Sequence, residues 1–159
     1  MNKNHRKLKI GLDYHGVINE NIPYFKEFCQ ILCRRGHLVH ILTGGPKNAV
    51  VRYLEKEDIP YSCLFTIFDY YQAKGLVSCE GAGHFQIDEK LWNTAKADYC
   101  RQHKIDIQID DSPIYGRYFT TPYCFYQNKN CTLSFNQKIF DFEKLTPEQT
   151  VEKLERALL

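Results

Sequence analysis

The sequence predicts an α/β fold, with a mainly parallel sheet of five strands and helices on both faces. Short apolar segments, several rich in β-branched residues, alternate along the chain with longer segments whose apolar residues recur at helical spacing. This alternation is typical of parallel sheets whose strands are connected by helices. The chain has 159 residues, a length that suits one core, and we expect residues 1–159 to form a single domain.

Five segments are predicted to be strands. The first alternates apolar with small or polar residues and stops at Asp13, the second stops at a Thr-Gly-Gly-Pro turn signal, and the fourth stops at two aspartates. The third follows a break at Ile59-Pro60. In chain order the predicted strands are residues 8–12, 38–42, 63–68, 105–109 and 123–126.

Four helices are predicted between and after these strands. Pro23 suits the first turn of one helix and Gly36 its end, Asp88 suits the cap of another, and residues 146–149 form a capping-box pattern with proline at the first helical position. The predicted helices span residues 23–35, 47–57, 89–103 and 147–159. Residues 69–88 contain three glycines and no clear periodicity, so we expect a loop or a small hairpin there.

Composition and charge indicate an ordinary globular protein. Hydrophobic residues make up 43% and charged residues 25% of the chain, unlike the composition of a disordered protein. The formal charge of +2 does not favour a nucleic-acid or membrane partner. No signal peptide or membrane-length apolar segment is evident, so we expect a cytoplasmic protein. The seven cysteines include no C-x-x-C pair and are expected to be reduced and mostly buried.

Polar residues follow three of the predicted strands at their carboxyl ends. Asp13 follows the first strand, Thr43 the second, and Asp110 and Asp111 the fourth. In parallel sheets the chemistry lies beyond the carboxyl ends of the strands. One such residue is commonly a helix cap, but three occurrences predict a functional site. Crowded carboxylates repel one another, so a hard divalent cation such as Mg²⁺ is expected among them.

The order of these residues resembles the haloacid-dehalogenase-like (HAD) superfamily of phosphohydrolases. The resemblance extends from about residue 9 to residue 126 and rests on four features: Asp-Tyr-His-Gly-Val at 13–17, Leu-Thr-Gly-Gly at 42–45, a lysine before the fourth strand, and Ile-Asp-Asp-Ser at 109–112. It implies a three-layer Rossmann-like fold with the strand order 3-2-1-4-5. It also implies a Mg²⁺-dependent phosphatase or phosphotransferase that acts on a phosphate monoester.

The resemblance implies roles for the acidic residues and for His15. Asp13 is the nucleophile and forms an aspartyl-phosphate during catalysis. The ligands of Mg²⁺ are the Asp13 carboxylate, the backbone carbonyl of His15 and the Asp111 carboxylate, with Asp110 in support. The resemblance therefore predicts both the nucleophile and the metal site.

It also implies a phosphate-binding set. Thr43 and Gly44 contact the phosphoryl group, and a lysine neutralises the charge of the nucleophile and the phosphate. Lys96, 14 residues before Asp110, is the preferred lysine, and Lys90, 20 residues before it, is the alternative. The lysine that is not used is expected to lie on a solvated helix surface.

His15 is a departure from the family, which has an aspartate there that acts as general acid and base. A backbone carbonyl ligand survives this substitution, and histidine, with an ordinary pKa of about 6.5, is competent to transfer protons. Three interpretations stay open. They are an active phosphatase that uses His15, a slow phosphotransferase with a long-lived aspartyl-phosphate, and a regulatory protein that binds phosphate and Mg²⁺ without turnover.

The spacing of the motifs leaves no room for an inserted cap domain. Only one predicted helix separates Asp13 from Thr43, so we expect an open site for a phosphorylated substrate, small or macromolecular. Residues 69–88 are either a partial lid or a simple surface connection. Capless relatives also close their sites by oligomerising, which makes a homo-oligomer a further expectation.

Two further interpretations of the sequence are less favoured. A phosphoacceptor receiver domain places its paired acids after the first strand, whereas here the pair follows the fourth. Trp92 and the aromatic residues after position 114 could stack on a substrate, but packing in the core is the favoured interpretation.

Overall fold

Strands and helices alternate in the computed structural model, which describes residues 6–81, 83–127, 130–133 and 139–159. The strands are β1 Lys9–Leu12, β2 Leu38–Thr43, β3 Cys63–Thr66, β4 Ser78–Glu80, β5 His84–Gln86, β6 Ile107–Asp110, β7 Tyr123–Gln127, β8 Asn130–Leu133 and β9 Ile139–Asp141. The helices are α1 Ile22–Arg34, α2 Lys47–Lys56, α3 Ile67–Ala73, α4 Glu89–His103, α5 Pro113–Gly116 and α6 Pro147–Leu158, with a 3₁₀ turn at Ile18–Glu20.

Seven of these strands form one sheet in the order β3-β2-β1-β6-β7-β8-β9. The first five of that order are parallel to one another, and β8 and β9 extend the sheet as antiparallel strands beside β7. The predicted α/β class and five-stranded parallel sheet are confirmed. The sequence analysis did not predict β8 and β9, which lie after the last predicted strand.

The side chains of β2 show how helices flank the sheet on both sides. Val39 and Ile41 lie in the main core, together with buried residues of α1, α2 and α6. The alternate residues point the other way: His40 forms a hydrogen bond of 3.0 Å with the hydroxyl of Tyr99 in α4, and Leu42 packs in a second cluster with α4. Because successive side chains of a strand point to opposite faces, one strand contributes to both layers of packing.

The helix boundaries follow the predicted capping residues. Asp88 accepts a hydrogen bond of 2.9 Å from the backbone of Leu91 at the start of α4, and Thr146 and Gln149 form a reciprocal capping box at the start of α6. The four predicted helices are confirmed, each to within one residue at either end. No helix within the described ranges is long and apolar enough to cross a membrane.

The segment after β3 differs from the prediction. β3 ends at Thr66 rather than at residue 68, because α3 begins at Ile67. The carboxylate of Asp69 in the first turn of α3 accepts hydrogen bonds from the Thr66 hydroxyl at 2.6 Å and from the Lys47 N–H at 2.7 Å, which fixes this helix start. Further along, β4 and β5 pair as an antiparallel hairpin, one of the two predicted alternatives.

The cysteines correct one expectation. Free thiols are found at Cys29, Cys33, Cys63, Cys79 and Cys100, of which only the first and the last are buried. Cys124 is disulfide-bonded, so the prediction of reduced cysteines is wrong at this position. The sequence pattern missed it because a disulfide depends on the distance between two residues in space.

Candidate functional site

Three strand ends bring polar side chains together at the carboxyl edge of the sheet. β1 lies between β2 and β6, and the backbone N–H of Asp13 donates to the carbonyl of Ile109 at 2.9 Å, which fixes the end of β1 beside β6. Asp13, Thr43 and Asp110 are buried there, with exposed fractions of 6%, 0% and 0%. The structure thus places these three side chains at the same edge of the sheet.

Lys96 of α4 connects two of the carboxylates. Its ammonium lies 2.7 Å from Oδ2 of Asp13 and 2.7 Å from Oδ2 of Asp110, and the residue is almost fully buried. Burial by itself lowers the pKa of Lys96, but the two carboxylates raise it above its ordinary value, so the ammonium stays charged. Lys90 is exposed on the first turn of α4 and does not line the cavity above Asp13.

Asp110 is held through both of its carboxylate oxygens. Oδ2 accepts a second hydrogen bond from Nε2 of Gln108 at 3.1 Å, and Oδ1 accepts one from the backbone of Ser112 at 3.1 Å. Because these oxygens are engaged and buried, Asp110 is suited to position Lys96 rather than to contact a ligand.

Asp13 and Asp111 offer further carboxylate oxygens to the site. Oδ1 of Asp13 is buried and has no hydrogen-bond partner within the described part of the chain. One oxygen from each of Asp13, Asp110 and Asp111 lies within 4.8 Å of the others. Gly16, with φ of +80°, lies against Asp111, where a Cβ would collide with the carboxylate. Three carboxylates beside one ammonium form an oxygen-rich, negatively charged setting that fits a hard cation.

The electrostatics of the site follow from this crowding. Burial raises the pKa of Asp13 to about 7; Lys96 opposes the rise and Asp110 adds to it. Burial and the neighbouring Asp110 also raise the pKa of Asp111. Both shifts have the sign expected for carboxylates that share a low-dielectric site with other carboxylates.

His15 lies at the exposed side of the site, beside Thr43. Its Nδ1 is 3.2 Å from the Thr43 hydroxyl oxygen, and its ring meets Tyr14 edge to face at 5.1 Å. Partial burial lowers the pKa of the imidazole, as does the charge of Lys96, whereas Asp111 raises it. His15 is thus placed beside Thr43, the residue to which the family resemblance gives a role in phosphate binding.

A cavity of about 430 Å³ opens above Asp13. Its polar floor includes Thr43, Gly44 and Lys96, and aromatic side chains form part of its wall. Trp92 donates a hydrogen bond of 2.7 Å from Nε1 to the Tyr115 hydroxyl and packs against Gly44, where a Cβ would lie only 2.8 Å from the indole ring. Packing was the favoured interpretation for Trp92, but its ring also faces the cavity. The lining residues are Asp13, His15, Gly16, Thr43, Gly44, Gly45, Phe85, Trp92, Lys96, Asp111, Ser112 and Tyr115.

Three residues of the site had not been named as candidates from the sequence: Gln108, Ser112 and Phe85. Tyr115 belongs to the aromatic residues for which stacking was the less favoured alternative. Gln108 carried a usable signal, because a polar residue two positions before Asp110 in a strand points to the same face. Phe85 carried none, since its approach to the cavity depends on how the hairpin packs.

Comparisons with protein-family models, with curated proteins and with solved structures found no significant match. What the site can do therefore follows from its own chemistry. It combines a buried carboxylate that has one unpartnered oxygen among the described residues, an ammonium that holds the other oxygen, and a hydroxyl beside them. This combination suits covalent transfer of an anionic group.

Proposed function

We propose that the chain is a Mg²⁺-dependent phosphohydrolase of the HAD type, which hydrolyses a phosphate monoester through an aspartyl-phosphate on Asp13. The observation that carries this proposal is the contact by which Lys96 holds Oδ2 of Asp13, while Oδ1 has no partner among the described residues. A carboxylate nucleophile needs this arrangement, because one oxygen must be oriented while the other attacks.

The donor atoms around Asp13 fit Mg²⁺. Asp13 and Asp111 supply carboxylate oxygens that lie within 4.8 Å of each other, and the resemblance adds the backbone carbonyl of His15, two residues after Asp13. Without a further positive charge, three carboxylates would repel an incoming phosphate. The ion, when bound, neutralises charge on the phosphoryl oxygens.

The residues of the chain divide the chemistry among them. Oδ1 of Asp13 attacks phosphorus, the bond from phosphorus to the leaving oxygen breaks, and the phosphoryl group stays on the carboxylate. The Lys96 ammonium and the Thr43 hydroxyl donate hydrogen bonds to the phosphoryl oxygens, beside the Gly44 backbone. His15 gives a proton to the leaving oxygen and then takes one from the water that releases phosphate.

Turnover depends on His15. Thr43 engages Nδ1 of the imidazole, so Nε2 is the nitrogen that exchanges the proton. His15 lines the cavity within reach of the position that a phosphate bound by Thr43 would occupy. This placement supports the interpretation in which the histidine takes the role of the family's second aspartate.

The test is release of phosphate from an aryl phosphate by the purified chain, with Mg²⁺ and with a chelator. We expect metal-dependent turnover that falls at least about a thousandfold in Asp13→Asn, the range seen when a covalent nucleophile is removed. Asp58→Asn is the matched control, because this carboxylate is 88% exposed and lies outside the cavity. Equal activity in Asp13→Asn and Asp58→Asn would exclude Asp13 as the nucleophile.

One observation favours a second candidate, a protein that binds phosphate and Mg²⁺ without turnover. His15 replaces the acid and base, and its imidazole lies against the hydroxyl that would bind phosphate. In that case fluoroberyllate binds in the presence of Mg²⁺ while no phosphate is released, and His15→Asp gains activity. A loss of activity in His15→Asp supports the enzyme.

The finer fold and the location are part of the proposal. Helices flank the sheet on both sides, and the parallel strands lie in the order β3-β2-β1-β6-β7, in which β6 and β7 are the fourth and fifth parallel strands of the chain. This supports a three-layer Rossmann-like fold. A cytoplasmic location stays a prediction from the sequence.

A further inference from the structure

Three aromatic rings line the cavity that contains Asp13. The ring centroids of Phe85 and Trp92 are 5.8 Å apart, and the indole of Trp92 is held by its hydrogen bond to Tyr115. The ammonium of Lys96 lies 2.7 Å from Asp13 and 4.9 Å from the centroid of the Tyr115 ring. We call Phe85, Trp92 and Tyr115 the aromatic wall of the cavity. The Lys96 ammonium therefore contacts both this wall, at Tyr115, and the proposed nucleophile, Asp13.

Phe85 is the most exposed of these rings. It lies in β5 of the hairpin, 38% of its surface is exposed, and its ring meets Phe68 edge to face at 4.9 Å. Because side chains alternate along a strand, Phe85 points to the opposite side of β5 from His84 and Gln86. The hairpin thus presents one apolar ring to a cavity whose floor is polar.

We propose that Phe85 and Trp92 select phosphate monoesters in which the alcohol carries a planar aromatic ring. Such a ring would stack on the wall while the phosphate lies on the floor beside Asp13 and Thr43. A cavity of about 430 Å³ lies within the range of small-molecule sites, which favours a small substrate over a macromolecular one. The inference rests on the proposed phosphohydrolase function and adds the class of its substrate.

Non-hydrolysable phosphonates test the wall independently of turnover. Benzylphosphonate and cyclohexylmethylphosphonate carry the same charge and connectivity and differ in aromaticity. Their dissociation constants are measured by calorimetry with Mg²⁺ present. The dissociation constant of inorganic phosphate is measured in the same way, because phosphate probes the polar floor of the cavity without contacting the aromatic wall. We expect the native chain to bind benzylphosphonate about fivefold more tightly than its saturated partner, the size of one stacking contact.

Phe85→Leu keeps an apolar side chain and removes the ring, so we expect the fivefold preference to fall below about twofold. Tyr118→Leu is the matched control, because this ring is 39% exposed and lies outside the cavity. The variant should prefer benzylphosphonate over the saturated phosphonate by the same factor as the native chain. Thermal unfolding of both variants checks that the hairpin and the core are intact.

The outcomes separate this inference from the proposed function. If phosphate binds with Mg²⁺ but the two phosphonates bind equally, or Phe85→Leu keeps the preference, the aromatic wall is overturned and the phosphate site stands. If neither phosphate nor either phosphonate binds, the proposed function fails and the inference fails with it.

Discussion

Two charged clusters lie at opposite ends of the parallel strands, and they differ in how completely their atoms are bonded. The carboxyl-end cluster consists of Asp13, Lys96, Asp110 and Asp111. The amino-end cluster consists of Arg35, His37, Glu148 and Glu155. Both combine acidic with basic side chains, so residue type alone does not separate them.

The amino-end cluster connects the turn before β2 to α6. Nη1 of Arg35 lies 2.5 Å from Glu155, and Nη2 of Arg35 pairs with Glu148. His37 accepts a hydrogen bond from the backbone of Leu8 at 3.1 Å and lies 2.9 Å from Glu155 through its other ring nitrogen. The Arg35 and Glu155 side chains are about a quarter exposed, so each ion pair is screened by water.

The carboxyl-end cluster is buried and incompletely bonded. Lys96 is paired with two carboxylates, yet Oδ1 of Asp13 has no partner within the ranges that the structure describes. An unsatisfied buried polar atom destabilises a fold, and such atoms concentrate where a ligand completes the bonding. The comparison teaches that burial together with incomplete pairing, rather than charged residues as such, distinguishes the candidate site from the amino-end cluster.

The largest effect is expected when Lys96 is removed. Lys96→Met leaves Asp13 and Asp110 buried without their cation, which should lower the free energy of unfolding by about 3–5 kcal/mol and abolish turnover. Lys90→Met is the control on the same helix, with an expected change within about 0.5 kcal/mol. Urea unfolding measures both variants. Equal stability of the two would mean that the buried ion pairs do not hold the carboxyl-end cluster together.

His40 lies in β2 between the two clusters and gives a pH-dependent effect. Burial lowers the pKa of His40 to about 4, with smaller contributions from Lys9 and His103. Since unfolded histidine titrates at about 6.5, the unfolded chain binds a proton at a higher pH than the folded chain does. The free energy of unfolding should therefore fall by at most about 3 kcal/mol as the pH drops from about 6.5 to about 4. Urea unfolding across the same pH range should show a shallower fall of the free energy of unfolding in His40→Leu than in the native chain. If the free energies of the two proteins fell in parallel with pH, this account of His40 would be contradicted.

A glycine near each cluster offers a matched pair of substitutions. Gly16 and Gly36 have φ of +80° and +83°, so an alanine at either position should cost about 1–2 kcal/mol of stability through backbone strain. Only at Gly16 would the new Cβ meet a side chain, the Asp111 carboxylate. We expect Gly16→Ala to weaken Mg²⁺ binding at least about tenfold in a calorimetric titration and Gly36→Ala to leave it unchanged. Equal Mg²⁺ affinities would remove Asp111 from the metal site.

The smallest effect is expected in the amino-end cluster. Glu155→Gln removes the charge that pairs with Arg35, and because both side chains of this pair are about a quarter exposed the loss should be about 0.5–1 kcal/mol. Phosphate release should be unaffected. A large fall in turnover at unchanged stability would show that the two ends of the sheet are coupled.

The sequence by itself determined the parallel strands, the long helices and the strand ends where the site lies. Local patterns suffice for these features: Asp88 and Thr146 mark helix starts, and Asp13 and Asp110 follow apolar strands directly. Because the carboxyl ends of parallel strands meet at one edge, residues far apart in the chain could be placed together before any contact was known.

Only the tertiary structure decided which of two lysines reaches the carboxylates. Lys90 and Lys96 are six residues apart in α4, so at 3.6 residues per turn their side chains point about 120° apart, and only one can face the strand ends. The packing of the helix, with Ala95 and Ala97 buried, sets its rotation and turns Lys96 inward. The position of Phe85 beside the site likewise depends on how β5 packs against Trp92 of α4, a contact between separate segments that no local pattern contains.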